Sequence, residues 1–556
     1  MVNIFESEET RPSLTSEAHR TNVENPVKPV MLDEVFYEDH NLIIKKICFW
    51  EKCSLWPDEE TRYFKVLLPG GLASNFHCIG TYALPDGRRA TDAVFHYLSD
   101  FRYGVAKTVI PGQGYSYINT NFEQISDSYN EASDFYNGYA IIKLLDKKNK
   151  RPRLAFLDTS GKEHFFKKEY AYVNVNSDGF FKVSTIYFGD FVNRPCALAY
   201  HSDHMDVAGN WGFADSSGKE VITPQYIYAY DFHNGLARVA KGKWEKKSKW
   251  ENRYWTETES WGMIDKEGNE VIPCKFDEIK FFMHYGKGKD EDESSYLMAH
   301  YGGWKKGKWG IIDYKGNWIV EPIFEDLGYD IYDDDLIIFY NADKWSSPDV
   351  LPEGIYSIKQ KRVLFEPQFM DIDFCDDGRI KVEKYDEKLE RNMVNLIDLS
   401  GKPKFELWYS SIWSIEDGNF YEISITDDDG NNQYGIIDKN GKEILPCDKN
   451  IDYDGIIFSQ KRIVFKENNK YGLKTFNNEI IIPPEYSEIT QFHDNYYSVK
   501  IGGEPRHNDD GLHGLMTFEG ILIIPIEYKS ITMEKDILIC KNNEGTTLYR
   551  FEKKQA

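Results

Sequence analysis

One phrase returns along this chain: an aromatic residue, a glycine, a short apolar run ending in Asp, a turn with glycine, and a β-rich run closed by proline. Trp211-GFADSSGKEVITPQY, Trp261-GMIDKEGNEVIPCKF, Trp309-GIIDYKGNWIVEPIF and Tyr434-GIIDKNGKEILPCD are the full copies. Weaker copies begin at Glu353, Met393, Tyr471 and His513, so the glycine, replaced once by Asn395, marks positions 212, 262, 310, 354, 395, 435, 472 and 514. The interval averages about 43 residues, long enough for one supersecondary unit that buries its apolar face only against neighbours.

Upstream the phrase weakens. LAFLDTSGKEHF from Leu154 puts Ala155 in the glycine position, SYINTNFEQI starts at Ser116, and a third copy begins near Gly80. The second half of a unit has its own mark, F-x-x-G-x-A, at Phe101 to Ala106, Phe135 to Ala140 and Phe232 to Ala237. About eleven units run from residue 78 to the end, where TTLYRFE forms a closing strand.

The unit from Trp261 shows the physics. Period-2 alternation places Trp261, Met263 and Asp265 on one side of a strand, Gly262 and Ile264 on the other. Asp265 to Gly268 is turn chemistry, with glycine supplying positive φ. Glu270 to Ile272 returns as a second strand, and Pro273 ends it or holds it at an edge. The expected fold class is therefore all-β: tandem three- to four-stranded antiparallel meanders in an elongated repeat array. Two packed β-propellers are the alternative, set back by the uneven spacing and the unit count. Large rings at fixed strand positions read as packing between units, not as a sugar ladder.

The pattern aromatic-Gly-x-[IF]-D-x-x-G-[KN]-x-[IV]-I-x-P resembles the WG-repeat family of bacterial proteins, also called KWG repeats, and Lys308-Trp309-Gly310 is a literal instance. The resemblance implies an all-β repeat protein without shared catalytic residues. On this reading residues 1–28 are a flexible tail and 29–77 an N-terminal β cap with Cys48, Trp50, Cys53 and Trp56. Residues 78–209 then hold degenerate repeats, and 210–556 hold clear ones.

Charge narrows the partners. The 67 Lys and Arg against 91 Asp and Glu leave a formal charge of −24, which disfavours nucleic acid and anionic membranes and suits a basic partner. With 41% hydrophobic and 15% aromatic residues the chain is too apolar for an acidic disordered protein. No apolar run reaches the ~20 residues of a spanning helix, the N-terminus lacks signal-peptide features, and the eight cysteines form no CxxC pair. These features set the expectation of a cytoplasmic protein with reduced thiols. Cys274 and Cys447, in IPC and LPC, occupy one recurring position.

Few segments suggest chemistry. His201, Asp203, His204 and Asp206 are a weak metal-ligand candidate beside the reading of a solvated loop. Thr426-DDDGNN has its glycine in the wrong place for a calcium loop and reads as a hairpin turn. Lys241 to Trp255 reverses the local charge and interleaves Trp244, Lys246, Lys247, Trp250, Arg253 and Trp255, either a protein contact or a solvated hairpin. Lys305, Lys306 and Lys308 repeat it at the next junction. Acidic insertions recur at Asp290, Glu291, Asp292 and Glu293, and again near Asp330, Asp376 and Asp427. No phosphate loop, nucleophile elbow or HExxH helix is present.

The function expected is a non-enzymatic scaffold whose acidic surface recognises a basic protein, for example an immunity or defence-associated protein that neutralises a basic toxin. The alternatives are a carbohydrate- or envelope-binding array and an enzyme with an unrecognised site. No cofactor is called for, and the sequence sets no oligomeric state.

Overall fold

The computed structural model describes residues 28–38, 42–68, 79–110, 114–145, 152–175, 179–184, 210–246, 254–256, 259–285, 294–340, 351–375, 379–415, 418–427, 429–448, 451–493, 496–503 and 511–554. Among them there is no α-helix. Strands form a succession of small sheets, antiparallel but for Met283–Tyr285, which runs parallel to Asp330–Tyr332 at the edge of its sheet. We number the sheets along the chain from the one that begins at Ser54, with the sheet that joins the two ends last and the lone hairpin Trp244–Lys246 with Tyr254–Thr256 unnumbered.

Sheet 5 shows how a unit forms. Its strands Tyr228–His233, Leu236–Lys241, Ser260–Asp265 and Glu270–Phe276 pair in chain order. The first hairpin turns on Asn234 and Gly235, both at positive φ (49° and 81°), the two-residue turn that matches strand twist. The last hairpin turns on Asp265, whose Oδ1 accepts the backbone N–H of Glu267 at 3.1 Å and Asn269 at 2.8 Å, while Gly268 takes φ 88°. The outer strand is bulged: Trp261 faces Phe276 and Met263 faces Ile272, two residues against four. The glycine of the repeated phrase lies against that bulge. A Cβ on Gly262 would fall 2.4 Å from Ile272 O and 2.7 Å from Cys274 N, and one on Gly435 would fall 2.6 Å from Leu445 O and 2.9 Å from Cys447 N. The two cysteines thus share one slot, as their proline context suggests.

Sheets 4 (from Tyr172), 6 (from Glu278), 7 (from Asp326), 9 (from Ser411), 10 (from Ile451) and 11 (from Glu488) repeat this plan. Sheets 1 (from Ser54), 2 (from Val105), 3 (from Tyr139) and 8 (from Asp371) have fewer regular strands and are extended by single bridges such as Tyr115 with Tyr129 and Val394 with Tyr409. The sheets lie where the phrase decays, or where Asn395 replaces glycine. Asn395 is fully buried, its Nδ2 donating to Phe405 O and Leu407 O at 3.0 Å each and its Oδ1 accepting from Leu396 N at 2.8 Å. A side-chain amide there does the work of the missing outer strand.

The core is a series of seams between consecutive sheets. Trp261 and Met263 enter the seam between sheets 5 and 6, while Ile264 enters the one between sheets 4 and 5, as alternation requires. Trp211, Trp261 and Trp309 are all buried. Three seams also carry an ion pair from a middle-strand lysine to the Asp preceding the next unit's F-x-x-G-x-A phenylalanine: Lys65–Asp100 at 2.5 Å, Lys107–Asp134 at 2.8 Å and Lys182–Asp231 at 3.7 Å.

The repeat itself does not say whether the ends of the array are free or joined; here they are joined. Sheet 12 takes Ser530–Glu534, Ile537–Lys541 and Gly545–Lys553 from the C-terminus, then Leu42–Glu51 and, outermost, Val30–Glu38 from the N-terminus. Leu42–Glu51 pairs antiparallel with Gly545–Lys553 over nearly its whole length. One seam joins sheet 12 to sheet 11 through Leu42, Ile44, Leu515, Tyr528 and Tyr549; another joins it to sheet 1 through Trp50, Leu55, Phe64 and Leu548. Twelve of the thirteen sheets, with twelve seams, therefore form a single circuit among the described residues, the two-stranded hairpin Trp244–Lys246 with Tyr254–Thr256 standing apart from it. The described residues of 29–77, a segment expected as a cap, divide between sheets 12 and 1, and Phe64–Leu67 pairs with Gly80–Ala83.

Candidate functional site

The first strand of a unit begins two residues after the aromatic that ends the preceding outer strand. Glu278 follows Phe276, Asp326 follows Phe324, Asp371 follows Phe369 and Glu488 follows Tyr486, so a carboxylate opens the first strand in sheets 6, 7, 8 and 11. The next apolar residue (Ile279, Leu327, Ile372, Ile489) is buried in each case. Past it lie Lys280, Tyr329, Asp373 and, in sheet 9, Trp413. Tyr329 is 49% exposed and Trp413 51%.

In sheets 7 and 8 these carboxylates crowd. Register sets Asp326, Tyr340, Glu353 and Phe369 side by side across sheet 7. Glu353 receives the Tyr340 hydroxyl and the Ile372 backbone N–H of sheet 8, and its Oε2 is buried with no hydrogen-bond partner. Burial, then the charges of Asp371 and Asp373, push its carboxyl up to about 7. Burial followed by Asp373 likewise raises Asp330 and Asp371. Lys381 pairs with Asp373 and places its Nζ 4.9 Å from the Trp413 ring centre. On the other flank Lys280 donates to the Tyr329 hydroxyl at 3.2 Å. The patch is an acidic centre between two exposed aromatic–lysine pairs. Its signal was present as an acid two residues past each outer-strand aromatic, but it sits beyond the proline where the repeated phrase stops being recognisable.

Trp244, Lys246 and Trp255 lie in a two-stranded hairpin, Trp244–Lys246 with Tyr254–Thr256. Lys247, Trp250, Arg253, Asp290, Glu291, Asp292, Glu293, His201, Asp203, His204 and Asp206 fall outside the described residues. Among the described residues no three His, Cys, Asp or Glu side chains converge as a metal site. Asp427 is a hairpin turn: its Oδ1 accepts Asp429 N at 3.0 Å and Asn431 N at 2.9 Å. In the Asp330 insertion, Asp334 holds Ser295 N at 3.0 Å and Asp335 holds Ser357 Oγ at 2.7 Å, so these two carboxylates are spent locally. At the next junction Trp304 is 61% exposed and stacks on His300, whose Nδ1 meets Asp277 Oδ2 at 3.2 Å.

A cleft of about 310 Å³ lies at the seam of sheets 12 and 1. Arg62, Lys535 and Arg550 line it together with Asp58, Glu534 and Asp536, so its charge balances and selects no sign of ligand. Burial pushes the Cys48 and Cys53 thiols up to about 12 and those of Cys274 and Cys447 to about 11, which disfavours the reactive thiolate at these four positions.

Comparison with known proteins bears on the repeats alone. No curated protein matches the chain. A solved eukaryotic initiation factor covers 74% of this chain and 96% of its own at 9% identity and a TM-score of 0.27. BamB from Moraxella catarrhalis covers 60% and 94% at 10% identity and a TM-score of 0.23. Neither likeness is close enough to carry an argument. The family described as WG containing repeat matches residues 115–148, 211–244, 261–288, 309–345, 434–471 and 475–504. Four of the six segments contain an aromatic-glycine pair whose glycine rests against a bulged outer strand (Gly212, Gly262, Gly310 and Gly435), and with that geometry repeated around the circuit the chain is a WG-repeat-containing protein.

Proposed function

We propose that the chain is a non-enzymatic protein-binding scaffold that holds a basic partner against the first strands of sheets 7 and 8. The observation that carries this reading is the crowding of Asp330, Glu353, Asp371 and Asp373, of which the first three are pushed up by burial and then by the charge of Asp371 or Asp373. Under-neutralised carboxylates of this kind gain most from an added cation, and exposed Tyr329 and Trp413 supply apolar and cation–π contact for a Lys or Arg side chain. Calorimetric titration of the full chain with a ten-residue lysine peptide tests it. Binding should weaken steeply with salt and fall at least tenfold in the Asp371→Asn/Asp373→Asn variant; equal binding by that variant would overturn the site.

A second reading, glycan binding, draws on Trp304, exposed and braced by the His300 ring. A glycan array that responds to the native chain and not to Trp304→Ala would favour it over the first.

A further inference from the structure

The outer edge of a sheet is where another strand adds, and this chain blocks most of its outer edges. Pro224, Pro273 and Pro322 stand in the outer strands of sheets 4 to 6, and Pro367, Pro446 and Pro525 in those of sheets 7, 9 and 11. Each proline removes a ladder donor at a bulge. Sheet 12 differs. Its outermost strand, Val30–Glu38, reads VMLDEVFYE, without proline, lysine or arginine. Val30, Met31, Val35 and Phe36 are 55%, 44%, 56% and 42% exposed on it, and among the described residues it pairs with Leu42–Glu51 alone. Its charge is wholly negative: Asp33, Glu34 and Glu38, of which Glu38 meets Lys554 at 2.7 Å.

We propose that Val30–Glu38 is a docking edge on which an extended segment of a basic partner adds as a further strand of sheet 12. This rests on the reading above that the partner is basic, and it adds a second place, apart from sheets 7 and 8, where an extended segment of that partner is gripped by its main chain. Main-chain pairing supplies the attachment, apolar side chains of the incoming strand cover Val35 and Phe36, and its Lys or Arg side chains meet Asp33 and Glu34. Register shifts between Met31 and Glu34 and between Val35 and Tyr37, with Asp33 at φ 47°, break the edge into short pieces. The added strand is therefore short, and charge contributes as much as the ladder. A second copy of this chain is a poor occupant, because antiparallel pairing would set Asp33, Glu34 and Glu38 against their own kind.

The test is fluorescence anisotropy of the full chain with a labelled ten-residue peptide of alternating lysine and valine. A second peptide has the same sequence with alternate amides N-methylated, and a third has glutamate for lysine. The first should bind, and the other two at least tenfold more weakly. The surface variant Glu34→Lys/Val35→Lys should lose the first peptide at least tenfold with an unchanged melting curve. Equal binding of the N-methylated peptide would overturn strand addition. Loss of binding in Asp371→Asn/Asp373→Asn, with the edge variant binding normally, would overturn the edge while leaving the basic-partner reading standing. Preference for the glutamate peptide, abolished by the edge variant, would overturn the basic partner and this proposal with it. Concentration-dependent dimers lost in the edge variant would make a second copy the occupant, and tighter peptide binding after removal of residues 1–27 would make it the chain's own N-terminal segment; either overturns the proposal.

Discussion

Gly212 and Pro224 press together across the bulge of sheet 4, where a Cβ on the glycine would lie 2.5 Å from the proline nitrogen and 2.3 Å from Ile222 O. The same contact recurs at Gly310 with Pro322, 2.8 Å, and at Gly354 with Pro367, 2.9 Å. The two conserved-looking ends of the repeated phrase are thus halves of one device: the proline bulges the edge against further pairing, and the glycine gives that bulge room. Gly212→Ala should cost about 2–3 kcal/mol, because backbone rather than a flexible side chain must move. Hydrogen exchange should rise first in sheet 4 and its two neighbours, as expected when stability passes between adjacent units.

Asn395 stands in the glycine position and should tolerate no apolar replacement. Asn395→Leu strands the buried carbonyl of Phe405 and the part-buried one of Leu407, and should destabilise by about 1–3 kcal/mol. Denaturant melts read by tryptophan fluorescence check this. Asn395→Asp should be worse still at neutral pH, since a carboxylate cannot donate to either oxygen.

Lys107 is 4% exposed and meets Asp134 of the next unit at 2.8 Å, with the Tyr97 and Tyr115 rings 5.4 Å and 5.2 Å from its Nζ. Asp134→Ala leaves a buried cation without its counter-charge and should cost about 3–5 kcal/mol, while Lys107→Met/Asp134→Leu should recover most of it. A double-mutant cycle on thermal unfolding decides between these outcomes.

Two sets of carboxylates give opposite pH responses. At Asp158, burial opposes ionisation, but Ser160, His164 and backbone N–H groups outweigh it and hold the carboxyl down at about 2; at Asp265, Asn269 and backbone donors also lower the carboxyl. A depressed folded-state value stabilises above the unfolded value near 4 and is lost as pH falls toward 2. Glu353, raised from 4.5 to about 7, binds its proton more tightly when folded, so the fold gains as pH drops from above 7 toward 5. The melting temperature should therefore rise between pH 8 and 5 and fall below 4. Glu353→Gln should flatten only the upper limb; an unchanged upper limb would show that the sheet 7–8 seam is not its source.

Much of this architecture could be read from the residues. Trp261, Gly262, Asp265, Gly268 and Pro273 each signalled a strand position, a close approach, a turn or an edge by local chemistry, and Cys274 and Cys447 fell into one slot. The joining of the ends could not be read. Thr546 Oγ1 donates to Cys53 O across 493 residues, and nothing in VMLDEVFYE or TTLYRFE names its partner, since alternating apolar strands pair with any complementary edge. The acidic patch escaped for another reason. Asp326, Glu353 and Asp371 are remote from one another in the phrase and meet only because register aligns them across sheet 7 and onto sheet 8.

The shared sheet also ties the two ends mechanically. Trp50 is fully buried at the joint and donates its Nε1–H to Gly87 O at 3.1 Å. Trp50→Ala should cost about 3–5 kcal/mol and open both ends in the same proteolytic step, seen as simultaneous cleavage near Leu42 and near Gly545. Cleavage at one end alone would show that the two are not coupled.

Leu42–Glu51 leaves the ribosome long before its partner Gly545–Lys553. Throughout that interval the early strand has no permanent neighbour on that side, and eleven sheets accumulate behind it before the ladder can form. A nascent chain stalled between these two strands must carry an open, apolar edge, so closure of the circuit waits on residue 545 and beyond in a way that an array with self-sufficient ends does not.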